Sequence, residues 1–201
     1  MLNIRVNNMI MHSGNQSRIF MDIDSCTITG LYGEKKHELI TLLSGLESFD
    51  GDVVLDTISL KGSHEEYLEQ IAVITKDSII NTELSVNDFL DFFGSMDRAL
   101  DDSYEARKKK LLQEFGLLGF INIGMNFLKE IDRKKVKLIS FFLKDRSLLL
   151  LDTFLESFHK NDLKKLLRFL KDYVKNERIV IIGSDNYKFL ERFSERIYEV
   201  N

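Results

Sequence analysis

Residues 25–46, SCTITGLYGEKKHELITLLSGL, hold three kinds of local signal in succession. Ser25 to Thr29 is a short run of β-type residues that stops at Gly30. A turn punctuated by glycine, GLYGEKK, follows. From Glu38 onward, Leu39, Leu42, Leu43 and Leu46 recur at spacings of three and four, which predicts a helix with one buried face. The stretch is therefore a strand, a loop and a helix.

Downstream of this unit the same alternation continues. Gly51 introduces a strand-like piece, DVVLDTISL, and Ile71 to Thr75 (IAVIT) reads as a buried strand. Between Leu84 and Leu128 the pattern is helical, in SVNDFLDFF and EARKKKLLQEF above all. Arg133 to Leu143 forms a further helix with Val136, Ile139 and Leu143 on one face. Leu148 to Leu151 is wholly apolar and ends at Asp152, the pattern of a central parallel strand. Asn161 caps a helix striped by Leu163, Leu166, Leu167, Leu170 and Val174, and the strand Ile179 to Ile182 follows. A last helix, NYKFLERFSERI, leads to IYEV.

Strands alternating with helices give an α/β fold with a mostly parallel sheet flanked by helices, and such sheets bind ligands beyond the carboxyl ends of their strands. Gly30, Asp152 and Gly183 all stand at such ends. The expectation is one domain over residues 1–201, with a small helical subdomain at about 84–130 inserted in the α/β core.

Composition sets bounds on partners. With 28 basic and 32 acidic residues the net charge is −4, so there is no general attraction to nucleic acid or to an anionic membrane, and no nucleic-acid partner is expected. No apolar run approaches the ~18 residues that span a bilayer, and MLNIRVNNMIMHSGN lacks the apolar stretch of a secretory signal, which suggests a cytoplasmic chain. The single cysteine, Cys26, lies in an alternating apolar run and is expected to be a buried thiol. His12, His37, His64 and His159 show no zinc-like spacing and are expected at the surface; no metal site is expected.

The turn also has the outline of a phosphate loop. Such a loop needs glycines so that backbone N–H groups can curl around phosphate, a lysine for the outer phosphates, and a Ser or Thr for magnesium. Residues 30–37 read G-L-Y-G-E-K-K-H: Gly30, Gly33 and Lys36 are in place, but Lys35 stands at the second glycine and His37 at the hydroxyl.

Four blocks then resemble the ATP-binding-cassette (ABC) ATPases, in that family's order, over about residues 25–200. GLYGEKKHELITLLSGLESFDGDVVLDTISLKG is similar to the Walker A region of that family's P-loop NTPase core, and IAVITKDSIINTELSVNDFLDFF to its Q-loop and first subdomain helix. RKKVKLISFFLKDRSLLLLD resembles the helix and Walker B strand, and RIVIIGSDNYKFLERFSERIYEV the closing switch segment.

The resemblance implies a site that has lost its chemistry. Lys35 obstructs the backbone's approach to phosphate, His37 replaces the oxygen that a hard cation prefers, and Glu38 would repel phosphate. Glu34 and Glu38 also fit the positive end of a helix on structural grounds alone. Walker B keeps Asp152, but Thr153 stands where the family positions water with glutamate. Asp185 takes the place of the switch histidine and Lys76 that of the Q-loop glutamine. The signature loop reads Leu128-Lys129-Glu130-Ile131-Asp132, His159 stands at the D-loop aspartate, and no aromatic partner for adenine stands near Met11 and His12.

By resemblance, then, ATP binds weakly or not at all, magnesium is unlikely, and the expected partners are a membrane permease and an ABC ATPase, as a self or mixed dimer. The chain would lie on the inner face of the cell membrane through the permease, gripping it with Lys76 and some of Ile79, Ile80, Leu84, Phe89, Phe92 and Phe93, of which a minority are expected to be exposed. Two other readings stay open: a slow ATPase using Lys35 and Lys36, and a cytosolic regulatory or structural module derived from a P-loop protein.

Overall fold

The structure is a computed structural model that describes residues 2–10, 18–75, 82–96 and 99–201. By internal contacts it divides into two units, 1–75 with 146–201, and 76–145.

A five-stranded parallel sheet organises the first unit. β3 (Ile28–Tyr32) lies between β8 (Ile179–Gly183) and β9 (Arg196–Glu199), and β7 (Leu148–Asp152) lies between β8 and β6 (Ile71–Thr75), giving the order β6-β7-β8-β3-β9. Every residue of β7 and β8 is buried, which is why LLLLD and IVIIG are continuous rather than alternating. Helices α1 (Lys36–Leu43), α6 (Lys160–Val174) and α7 (Tyr187–Phe193) pack on this sheet. The register places Thr75, Asp152, Gly183, Leu31 and Tyr198 side by side in one row at the carboxyl ends.

The second sheet is antiparallel and was not foreseen. β1 (Asn3–Ile10), β2 (Arg18–Asp24), β4 (Asp50–Leu55) and β5 (Ile58–Ser59) run in the order β2-β1-β4-β5, so DVVLDTISL is strand as expected but outside the parallel sheet. The sequence signal of β1 is broken by a bulge: Ile4 and Val6 alternate inward, then Asn7 and Asn8 are both exposed before Met9 is buried again. Gly51, at φ +103°, passes so close to the Asn8 carbonyl that a Cβ would lie 2.4 Å from it. Ile4, Val6, Val53 and Leu55 join Leu39, Ile40, Leu150 and Ile181 in one buried cluster that includes α1. Tyr67, on α2 (His64–Glu69), is buried in it and donates to the Leu43 carbonyl at 2.8 Å; burial, then the charge of Asp52, pushes its hydroxyl up.

Local departures have plain causes. Cys26 is exposed, not buried, because the chain turns between β2 and β3 with Cys26 at φ +64°, and β3 starts at Ile28 rather than Ser25. The helix expected from Glu38 begins at Lys36. α6 begins after His159, so Asn161 lies inside it rather than capping it; Asn186 caps α7 instead, accepting from the Phe189 N–H at 3.1 Å.

The second unit contains α3 (Val86–Met96), α4 (Tyr104–Glu114) and α5 (Glu130–Phe142). It is wider than the expected 84–130, because the apolar face of α5 packs against α3 and α4. Gly94 leaves room for the Tyr104 ring, from which a Cβ would stand 2.7 Å away, and the Tyr104 hydroxyl donates to the Leu90 carbonyl at 2.7 Å. The buried Lys108 ammonium donates to Asn87 Oδ1 at 2.9 Å, Asp91 Oδ1 at 2.6 Å and Glu105 Oε1 at 2.8 Å. Burial alone would depress its pKa, but the bonds to Asp91 and Glu105 outweigh that and raise it.

Lys137 on α5 is the opposite case, pushed down to about 8 by burial. Because the unfolded ammonium titrates near ~10.4, the folded state is penalised for carrying the charge below pH 8, and stability recovers as pH rises from about 8 to 10. Lys137→Met is expected to raise stability at pH 7 by about 1 kcal/mol, discounted because the side chain is only part-buried. Urea denaturation at pH 7 and pH 10 checks it, since the gain must shrink at the higher pH.

Candidate functional site

The row at the carboxyl ends of the parallel strands brings the turn after β3 next to Asp152 and Gly183. Gly33 sits at φ +113°, a conformation that L side chains rarely adopt, and a Cβ there would lie 2.3 Å from the Val200 carbonyl oxygen. That carbonyl accepts the N–H of Lys35 at 3.1 Å, while the Val200 N–H donates to the Tyr32 carbonyl at 2.7 Å. Lys35 stands at the N-cap of α1 and offers no side-chain cap to the first helical N–H groups.

Lys36 and His37, the first two residues of α1, turn to different partners. Lys36 is buried, 3% exposed, and its ammonium donates to the Asp185 carboxylate and, at 3.4 Å, to the Gly33 carbonyl. His37 is half in solvent, and its Nδ1 stands 2.6 Å from Asp152 Oδ2, so the bond needs the tautomer protonated at Nδ1. The other carboxylate oxygen, Asp152 Oδ1, is buried and has no hydrogen-bond partner among the described residues. Gly183 permits this packing, for a Cβ on it would lie 2.6 Å from Ile40 Cδ1 and 3.2 Å from Asp152 Oδ1.

Beyond Asp152 the chain bends sharply. Thr153 is buried at φ +49°, unusual for a β-branched residue, and its N–H donates to the Gly183 carbonyl at 2.9 Å. The bend starts a short 3-10 turn, Phe154–Ser157, that presents Glu156. One oxygen of Glu156, Oε1, accepts both the Ser184 hydroxyl and, at 3.0 Å, the Asp185 N–H. Glu156, Ser184 and Val200 were not identified from sequence. Only the small polar run Ser184-Asp185-Asn186 after β8 gave any signal.

Gly30, Gly33, Lys35, Lys36, His37, Asp152, Thr153 and Asp185 thus lie together in the first unit, with Glu38 in the first turn of α1. Lys76, Met11, His12, Ile79 and Ile80 fall outside the described residues. Leu128 and Lys129 are extended and Glu130 to Asp132 form the first turn of α5, with Glu130 bonded to Lys134 at 2.8 Å. His64 and His159 are exposed, and among the described residues no three His, Cys, Asp or Glu side chains group as metal ligands.

A parallel sheet in the order β6-β7-β8-β3-β9, a glycine turn joining β3 to α1, an antiparallel sheet and a helical unit inserted after β6 make up the P-loop fold of the ABC ATPases. Over 98% of its length the chain superposes on the ATP-binding subunit of an ABC transporter, with a TM-score of 0.88, 19% identity and 85% of that chain covered. It likewise matches a nucleotide-free ATP-binding cassette from an ABC transporter, with a TM-score of 0.82, 13% identity, all of this chain and 88% of the other. In sequence it is similar to the cytochrome c biogenesis ATP-binding export protein CcmA of Aliivibrio fischeri (strain ATCC 700601 / ES114), 26% identical over 165 residues that cover 82% of this chain and 79% of that protein. No protein-family model matches the chain. The chain is homologous to ABC transporter ATP-binding proteins.

Proposed function

We propose that the chain serves a membrane permease as its ATP-binding-type subunit while hydrolysing no ATP itself. The observation that carries this is the pairing at the end of β7: Asp152 is engaged by the imidazole of His37, and the next residue is Thr153 rather than a carboxylate. A general base must reach the water it activates, and threonine offers none at neutral pH. Magnesium prefers oxygen ligands, whereas a nitrogen of His37 faces the carboxylate that would help to hold it. The loop, as arranged, does not fit a magnesium-bound nucleotide, so no catalytic step is assigned to one.

The expected permease contact draws support from the second unit, which exposes Leu84, Phe92, Met96, Leu100, Phe120, Ile123 and Phe127. Of the groove residues expected from sequence that are described, Leu84 and Phe92 are exposed, Phe93 is half-buried and Phe89 is buried in the core of that unit. No helix among the described residues is long and apolar enough to cross a membrane. Resemblance to an export protein makes an exporter the first permease class to try.

Phosphate release from ATP with magnesium tests the proposal. The purified chain is expected to fall at least ~100-fold below an intact ABC ATPase assayed beside it, the scale of a lost general base. Turnover at a comparable rate, abolished by Lys36→Met, would establish an active ATPase instead. Co-purification of the chain with an integral membrane protein from detergent extracts, lost on Phe92→Asp, is the matching expectation for the partner.

A further inference from the structure

Lys36 is the buried cation of the loop, and a buried ammonium needs an anion or a set of acceptors beside it. In this chain the anion is internal. Asp185 reaches back from the end of β8 to bond the Lys36 ammonium, although the two residues are 149 apart in sequence. Its placement is not left to a mobile side chain alone. Glu156 accepts the Asp185 N–H at 3.0 Å and the Ser184 hydroxyl, and Ser184 Oγ in turn accepts the Asn186 N–H at 3.0 Å. The segment 184–186 is thereby tied to the turn that follows Asp152. A donor of the loop is also already used: the Lys35 N–H, which in an open loop would point to an incoming anion, is spent on the Val200 carbonyl at 3.1 Å.

We propose that Asp185 is a built-in phosphate surrogate: its carboxylate fills the seat beside Lys36 and closes the loop to phosphoanions, and neutralising it opens a polyphosphate-binding site. Glu156 is the positioning residue of this latch. The inference rests on reading residues 30–37 as a phosphate loop. An incoming phosphate must displace the Asp185 carboxylate from Lys36 and then lie next to its charge, so in the native chain competition and repulsion act together. In Asp185→Asn the repulsion is gone, and Lys36 is left buried without its counter-ion, which favours any anion small enough to enter.

The test is titration with inorganic tripolyphosphate in the absence of divalent cations, read by calorimetry and by thermal unfolding, on the full chain. Asp185→Asn is expected to bind at least ~10-fold more tightly than the native chain, and the double variant Lys36→Met/Asp185→Asn to lose that gain. Native and Asp185→Asn chains binding within twofold of each other would overturn the proposal, as would retention of the gain in the double variant. If Asp185→Asn is too unstable for calorimetry, its Tm is expected to rise with tripolyphosphate while that of the native chain stays fixed; a Tm that does not respond would equally overturn it. Because the probe needs neither metal nor turnover, this latch and the absence of ATP hydrolysis can fail separately.

Discussion

Gly33→Ala is expected to destabilise the first unit by about 2–6 kcal/mol, the largest effect of any single methyl group added near the site. Two costs combine. At φ +113° an alanine is held where L side chains rarely stand, at about 1–3 kcal/mol, and its Cβ would lie 2.3 Å from the Val200 carbonyl oxygen. That neighbour is backbone, so relief requires moving the end of the chain after β9, which breaks the bond from the Lys35 N–H to Val200. Overpacking of this kind adds about 1–3 kcal/mol. In thermal unfolding this is a fall in Tm of roughly 4–24 °C for a domain of this size. Hydrogen exchange should show the Lys35 amide losing protection first. A variant within 1 kcal/mol of the native chain, about the lower limit of strain at such a φ, would mean the turn does not have this conformation.

Leu150→Ala is expected to cost about 2–5 kcal/mol as well, but through a cavity instead of strain. Leu150 is fully buried in β7 between Val73 of β6 and Ile181 of β8, and it belongs to the buried cluster that also holds Leu39, Ile40 and Val53. Because β7 also delivers Asp152, the cavity should loosen the His37 pairing along with the fold. The check is equilibrium urea denaturation with an unchanged m-value, which separates lost stability from a change in the unfolded state. The contrast between the two variants is informative: only Gly33→Ala is expected to alter the amide exchange of the loop at matched global stability.

The parts of this fold legible in the sequence are those whose burial is complete or strictly periodic. IAVIT, LLLLD and IVIIG declare themselves as β6, β7 and β8 because β7 and β8 are buried throughout and β6 over most of its length, and Leu39, Leu42 and Leu43 declare α1 because they recur on its buried face. The antiparallel sheet was illegible for a local reason: the bulge at Asn7 and Asn8 breaks the alternation of β1. Cys26 departs from its expected burial because a left-handed residue inside an apolar-looking run turns the chain outward, and nothing in the spacing marks that turn.

At the candidate site, the order of residues along the chain sets which chemical groups are present: two lysines and a histidine after Gly33, an aspartate that ends β7 and is followed by threonine, and an aspartate two residues after Gly183. Tertiary structure alone decided how they pair. His37 meets Asp152 across 115 residues, and Lys36 meets Asp185 across 149, because the register of parallel strands sets Leu31, Gly183 and Asp152 side by side. Local propensity acts over a few residues, whereas strand register is fixed by the burial of the whole sheet. The inventory of polar groups is therefore written along the chain, and their pairing arises only when the sheet assembles.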